Sequence, residues 1–260
     1  FTGSTSTQTP NTVDVRELLA DMRQSLGLTV ASLSVVSAGS RRWSTGDYPR
    51  VYDTLIGTPP YAGQRETWLM IRLCALDNAD ALQWRVTVGT TALAAAQRIA
   101  AGLRGRGVRA RVATSTDVVE FERRIGRAAL EPHNQRWRTI RSDGGWLTSY
   151  AYHPRDVTSE ILGQAWALRV DGLIQNITLF PDGHVAAVLT VRTPQPPTAP
   201  PSVMLRTLPG EQAGALAAAM CGAQPRLRGI RRGPLAPDLV IPVGPSGVLL
   251  GKLPTGERLL

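Results

Sequence analysis

Two carboxylates, Asp77 and Asp80, stand three residues apart in Asp77-Asn78-Ala79-Asp80, just after the apolar run 67–74. Open α/β enzymes often hold catalytic acids, or a metal-bound sugar nucleotide, in a loop behind a strand. The spacing is D-x-x-D, however, and not the D-x-D of metal-dependent glycosyltransferases, so helix capping and solvation are the expected roles. A glycosyltransferase-like enzyme domain is kept as the alternative. The glycines of Gly102-Leu-Arg-Gly105-Arg-Gly107 have phosphate-loop composition in the wrong place, because a dinucleotide loop opens a helix and this cluster closes one. His133, His153 and His184 show no metal-ligand spacing with each other or with Cys74 and Cys221. Gly244-Pro-Ser246-Gly247 lacks the G-x-S-x-G spacing that exposes a nucleophilic serine. The single lysine, Lys252, leaves no S-x-x-K pair and no Walker-type phosphate loop. Asn176-Ile-Thr178 matches a glycosylation sequon but falls inside a strand pattern. The expectation is a domain with no catalytic residue, no cofactor and no metal site.

Charge is the positive signal. With 29 basic residues against 20 acidic, a formal charge of +9 and a pI near 10.6, the chain should be drawn to something anionic: a nucleic acid, an acidic protein or a lipid headgroup surface. All but one of the basic residues are arginines, the usage of a high-GC genome. Residues 101–141 hold ten arginines against four acids, and Arg226, Arg228, Arg231 and Arg232 cluster without an acid. The planar guanidinium fork suits phosphate and carboxylate. Only Phe121 and Trp137 accompany the first cluster, too few for the stacking platform that single-stranded nucleic acid needs. Nucleic acid is therefore the less favoured partner. Arg104, Arg106, Arg109 and Arg111 form the candidate interaction face, with Arg109 and Arg111 on one side of an expected strand, weighed against a plain solvated basic surface.

The elements that must position these residues follow from periodicity. A polar stretch, 1–12, reads as a linker, and Leu18, Leu19, Met22 and Leu26 form one helical stripe predicting a helix over 13–26. The run 28–36 alternates as a strand, and 41–60 is a turn-rich connection carrying Trp43, Tyr48 and Tyr52. The run 67–74, the Ala-rich stretch 91–103 and the alternating stretch 108–114 predict a β-loop-α-β unit with Trp68, Met70, Leu93 and Ile99 in its core. A helix capped by Thr116 follows and stops before Pro132. Strands over 172–180 and 184–192 meet at the turn Pro181-Asp182-Gly183; a Pro-rich bridge 193–202, a strand 203–208, a helix 210–221 and a tail of short strands over 239–253 complete the order. The fold class expected is α/β, a mixed sheet flanked by helices in a single domain over 13–260, with two diverged halves near 28–141 and 142–260. The two cysteines, 147 positions apart in apolar runs, are expected to be reduced and buried, which favours the cytosol. No run of about 18 apolar residues is present to span a bilayer.

Several of these segments resemble one known family. Glu66-Thr-Trp-Leu-Met-Ile-Arg72, Asn78-Ala-Asp80, Ala94-Ala-Ala-Gln-Arg98-Ile-Ala-Ala-Gly-Leu103 and Gly107-Val-Arg-Ala-Arg111, then Trp137, Thr148-Ser-Tyr-Ala151 and Gly244-Pro-Ser-Gly-Val-Leu-Leu-Gly251, are similar to the core of EccE, a membrane component of mycobacterial type VII (ESX) secretion systems. The resemblance covers roughly residues 60–255 and rests on dispersed positions in order. It implies a non-catalytic structural subunit anchored by two transmembrane helices near its N-terminus, upstream of Phe1. It also implies a cytosolic domain at the inner membrane, at the periphery of an assembly with EccB, EccC and EccD. Basic clusters near an anionic leaflet suit that placement, each arginine contributing on the order of 1 kcal/mol.

Overall fold

The computed structural model describes residues 6–8, 11–23, 27–40, 64–83, 87–222, 227, 229–243, 247–249, 251–252 and 258–259. Trp43, Tyr48, Tyr52, Arg226, Arg228 and the Gly244–Ser246 part of the late glycine segment lie outside the described residues. The frame is one antiparallel sheet with the path β4-β3-β7-β8-β6-β5. Its strands are β3 (Ser32–Ser40), β4 (Gln64–Arg72), β5 (Ile140–Ser142), β6 (Gly145–Tyr152), β7 (Gly172–Leu179) and β8 (His184–Thr193). The short strands β9 (Leu205–Thr207) and β10 (Gly233–Pro234) add to β6 and β8. Strands from both halves lie side by side: β3 pairs with β4 through Val36↔Trp68 and with β7 through Val36↔Asn176. The turn Pro181-Asp182-Gly183 closes the β7–β8 hairpin, with Gly183 at φ +79° where a left-handed conformation is required.

Both faces of the sheet are covered, which explains why β3, β7 and β8 read as near-continuous apolar runs. On one face Leu33, Val35, Ile177 and Leu189 pack with Leu18 of α1 (Val15–Asp21) and Met22 just past its end, with Leu162 from α5 (Ser159–Gln164), and with Trp166. The opposite face sets Val36, Met70, Leu147 and Ile174 against Phe121 and Ile125 of α4 (Ser115–Ile125) and Leu216 of α6 (Gln212–Ala217). Trp68 stacks on Phe121 with ring centroids 4.5 Å apart, tying β4 to α4. Between the helices above, α2 (Ala79–Leu82) is a single turn and α3 (Val88–Gly105) is the longest helix described. Thr87 caps α3 by accepting from the Thr90 N–H at 3.1 Å, and a left-handed Gly107 (φ +82°) follows its end.

Within the stretch read as a linker, β1 (Ser6–Gln8) pairs with β12 (Gly247–Leu249) and β2 (Asn11–Asp14) with β11 (Val240–Val243); β13 (Gly251–Lys252) and β14 (Arg258–Leu259) pair with each other. The helix expected over 13–26 is the shorter α1, started by Asp14 accepting from the Arg16 N–H, because 11–14 is claimed by the β2–β11 ladder. The segment 108–114 is not a paired strand. Its chain is held by Val108 N–H donating back to Leu103 and by Arg104 donating to the Ala110 carbonyl, and Thr114, not Thr116, caps α4. A reciprocal capping box explains that choice: Thr114 Oγ1 accepts from Asp117 N–H while Asp117 accepts from Thr114 N–H. Met70 and Ile99 are buried and Trp68 is half-buried, but Leu93 is 47% exposed. Among the described residues no paired strand follows α3 to cover Leu93, which lies instead on the wall of a cavity. Cys74 is half-buried and Cys221 is exposed, both as free thiols, so the expectation of two buried cysteines fails at Cys221, which follows the end of α6.

Candidate interaction surface

The four arginines of the candidate face divide into two pairs. Arg104 donates to the Ala110 carbonyl at 2.9 Å, closing the loop behind α3. Arg106 turns toward α1, where its Nε meets Glu17 at 3.0 Å and its Nη2 meets Asp21 at 2.7 Å. The hydrogen bond to Asp21, with the surrounding acids, raises the Arg106 pKa. Arg106 is therefore a staple between α3 and α1, not a free cation. Arg111 grips Asp117 with both ends of its fork, at 2.6 and 3.0 Å. That hydrogen bond, reinforced by Thr114, holds the Asp117 carboxyl well below the usual carboxylate range. Arg109 is exposed and, among the described residues, bonds to no side chain or carbonyl. Both Arg109 and Arg111 line one cavity with the edge of β4, whereas Arg104 and Arg106 do not.

That cavity, about 710 Å³, lies between β4, α3 and the extended run 108–113. Its walls are mostly apolar: Trp68, Leu69, Leu93, Ala96, Val112 and Val118. A second hollow of about 540 Å³, which shares Arg65 and Glu66 with the first, is lined by Arg124, Arg192 and Asp171 among others. There Arg124 pairs with Glu66 at 2.8 Å.

The expected carboxylate pair has no site around it. Asp77 and Asp80 are both exposed, and among the described residues Asp80 accepts from Gln83, at 3.3 Å. The residue between them does the structural work. Asn78 is buried, accepts from Thr29 N–H at 2.7 Å, and donates to the Thr29 and Cys74 carbonyls at 3.0 and 2.8 Å. Among the described residues no group of three His, Cys, Asp or Glu could hold a metal. Arg231 and Arg232 of the second basic cluster are exposed, and Arg232 lies 3.6 Å over the Phe180 ring.

Two buried arginines on β4 were not singled out by sequence. Arg65, over the Trp166 ring at 5.1 Å, has its pKa pulled down to about 10 by burial. Arg72 donates to Ser34 Oγ at 2.8 Å and to the Ala218 and Met220 carbonyls at 3.1 and 3.0 Å, at the end of α6. A cation there complements the exposed carbonyl end of a helix, while burial lowers its pKa. The signal was available: Trp68, Met70 and Arg72 alternate onto one face of β4, so an inward Trp68 predicts an inward Arg72.

Comparison with known proteins places these features. Residues 61–152 match the family model described as "Putative type VII ESX secretion system translocon, EccE". The whole chain is 53% identical over 259 residues to the ESX-2 secretion system protein EccE2 of Mycobacterium tuberculosis (strain CDC 1551 / Oshkosh), and it spans 48% of that relative's length. The ESX-5 secretion system protein EccE5 of Mycobacterium marinum is 30% identical over 138 residues, 52% of this chain and 32% of the relative. EccE5 of Mycobacterium tuberculosis (strain ATCC 25618 / H37Rv) is 33% identical over 110 residues, 42% of this chain and 27% of the relative. The chain thus spans about half or less of the length of the curated relatives it matches, and by these matches it belongs to the EccE family of type VII (ESX) secretion-system proteins.

Proposed function

We propose that this chain is a non-catalytic docking domain of a type VII secretion membrane complex, sitting at the cytoplasmic face of the inner membrane and binding neighbouring components such as EccB, EccC and EccD. The observation that carries the reading is the 53% identity to an EccE2 protein along the whole chain. Two features of the molecule support it. The polar groups set on the inner sheet faces serve packing: Ser34 with Thr178, Ser149 with Thr190, and Gln212 with the Ser149 backbone. Arg109, by contrast, is left exposed beside an apolar cavity, a surface suited to a partner. Among the described residues no helix is long and apolar enough to cross a membrane, so membrane attachment of this region would act through partners, anionic headgroups or another part of the protein.

The test is retention of the cytosolic regions of EccB, EccC and EccD on the immobilised chain, alongside co-sedimentation with anionic and neutral vesicles at low and high salt. Binding of at least one component is expected. Binding of none contradicts docking to these components, and a preference for anionic vesicles without it would make the domain a membrane-surface module instead.

A further inference from the structure

The outer edge of β4 carries an opportunity for pairing. Among the described residues no strand pairs with that edge, since β4 ends the sheet path and the extended run 108–113 stands across the cavity from it. A long edge strand presents backbone N–H and C=O groups from every second residue, and proteins ordinarily pair, cover or blunt such edges. β4 is nine residues long, and the residues beside its edge are apolar, Trp68 and Leu69 from the strand and Leu93 and Ala96 from α3. The space fits a chain. At about 3.3 Å of rise, 4.8 Å of strand separation and 10 Å of sheet thickness, one strand residue occupies roughly 160 Å³. The 710 Å³ cavity then admits about four to five residues of a further strand.

The geometry points to this groove as a docking site for an extended segment of a partner protein, with alternating apolar and acidic residues, added as a strand beside β4. The inference rests on the docking reading above and names the partner's chemistry. Charge selects the occupant. Arg109 and Arg111 line the groove together with Arg65 and Arg72, against Glu66 as its acid, and Glu66 is already paired with Arg124. Arg72 is committed to α6, Arg111 to Asp117 and Arg65, itself buried, to the Trp166 ring, so the exposed Arg109 is the one placed to meet an incoming carboxylate. A second copy of a chain carrying +9 would meet like charge at this rim, whereas an acidic segment gains on approach and in register. The arrangement is strand addition, with main-chain hydrogen bonds giving affinity and alternate side chains giving specificity.

The probe is a fluorescein-labelled nine-residue peptide alternating Glu and Val, with a Lys/Val peptide and two Glu/Val peptides N-methylated on alternate amides as controls. Binding to the wild-type chain is followed by anisotropy, and amide exchange reports protection along residues 65–71. The Glu/Val peptide should bind, the Lys/Val peptide about tenfold or more weakly, and one of the two methylated registers about tenfold more weakly. Arg109→Glu and Leu93→Glu, both at exposed positions and checked for folding by circular dichroism, should each weaken Glu/Val binding about tenfold. Equal binding of the Glu/Val and Lys/Val peptides, indifference to both substitutions, no binding at all, or protection away from β4 would overturn the inference. So would self-association of the wild-type chain that Leu93→Glu abolishes. The docking proposal is read separately on the same chain. Components retained equally by wild type and Leu93→Glu leave docking standing and remove the groove, while peptide binding as expected with no component retained removes docking and leaves the groove.

Discussion

Replacing Arg72 with Met keeps the volume of a long side chain and removes its fork, so it isolates what the buried cation does. In the native chain the guanidinium supplies donors to the Ala218 and Met220 carbonyls and to Ser34 Oγ. Ser34 keeps a partner in Thr178 at 2.9 Å, so the loss falls on the two carbonyls. Each buried acceptor left without a donor costs about 1–3 kcal/mol. Against this stands the cost of burying the charge, visible in the lowered pKa of Arg72 and relieved by the substitution. The carbonyl term should win, because water on the α6 side is excluded by Leu216, Ala219 and Met220, each at most 2% exposed. The net loss expected is roughly 2–4 kcal/mol, read as a lower midpoint at unchanged m-value in urea unfolding followed by circular dichroism. Arg72→Lys should recover less than half of it, since an ammonium cannot span both carbonyls and Ser34. An Arg72→Met midpoint equal to or above wild type would refute the reasoning and make Arg72 a net burden on the fold.

Three further outcomes follow from particular contacts. Gly145→Ala should destabilise by roughly 2–4 kcal/mol in the same assay, because Gly145 sits at φ +148° and a Cβ there would overlap the Thr193 carbonyl oxygen across the β6–β8 ladder; a change under about 0.5 kcal/mol would show that the strand ends yield freely. Arg106→Gln releases α3 from α1, and with side chains partly exposed the loss should be only about 0.5–1 kcal/mol, accompanied by faster amide exchange around Gly102–Arg106; no change in exchange would remove the staple. Asp117 has a folded pKa below its unfolded value of about 3.9. It therefore contributes stability present above that pH and lost as pH falls through the folded value. Carboxyl carbon NMR should place its midpoint below the unfolded-state value and move it up in Arg111→Gln, and an unmoved midpoint would contradict the fork.

The sheet was legible where alternation and a turn coincide. The pattern over 172–192 gave the β7–β8 hairpin because Pro181-Asp182-Gly183 has a backbone reason to turn, and the Ala-rich stretch predicted α3. The stretch 108–114 misled, since a period of two describes any extended chain and says nothing of whether a neighbour accepts its hydrogen bonds; here Thr114, Asp117 and Arg111 draw it into a helix cap. Leu93 was assigned to the core on the strength of that missing strand. Counting arginines located the basic region but not its division of labour, because charge in sequence does not reveal that Arg106 finds Asp21 across 85 positions. Asn78 went unread between two more conspicuous acids, its role depending on carbonyls of Thr29 and Cys74 that only the fold brings near.

The most direct test of the central claim is capture of the EccB, EccC and EccD cytosolic regions on the immobilised wild-type chain, with Arg109→Glu beside it. The account predicts retention of at least one of them, weakened about tenfold by the charge reversal at equal fold content. Retention of none, or retention indifferent to that substitution and to salt, would contradict a docking surface at the Arg109 side of the molecule.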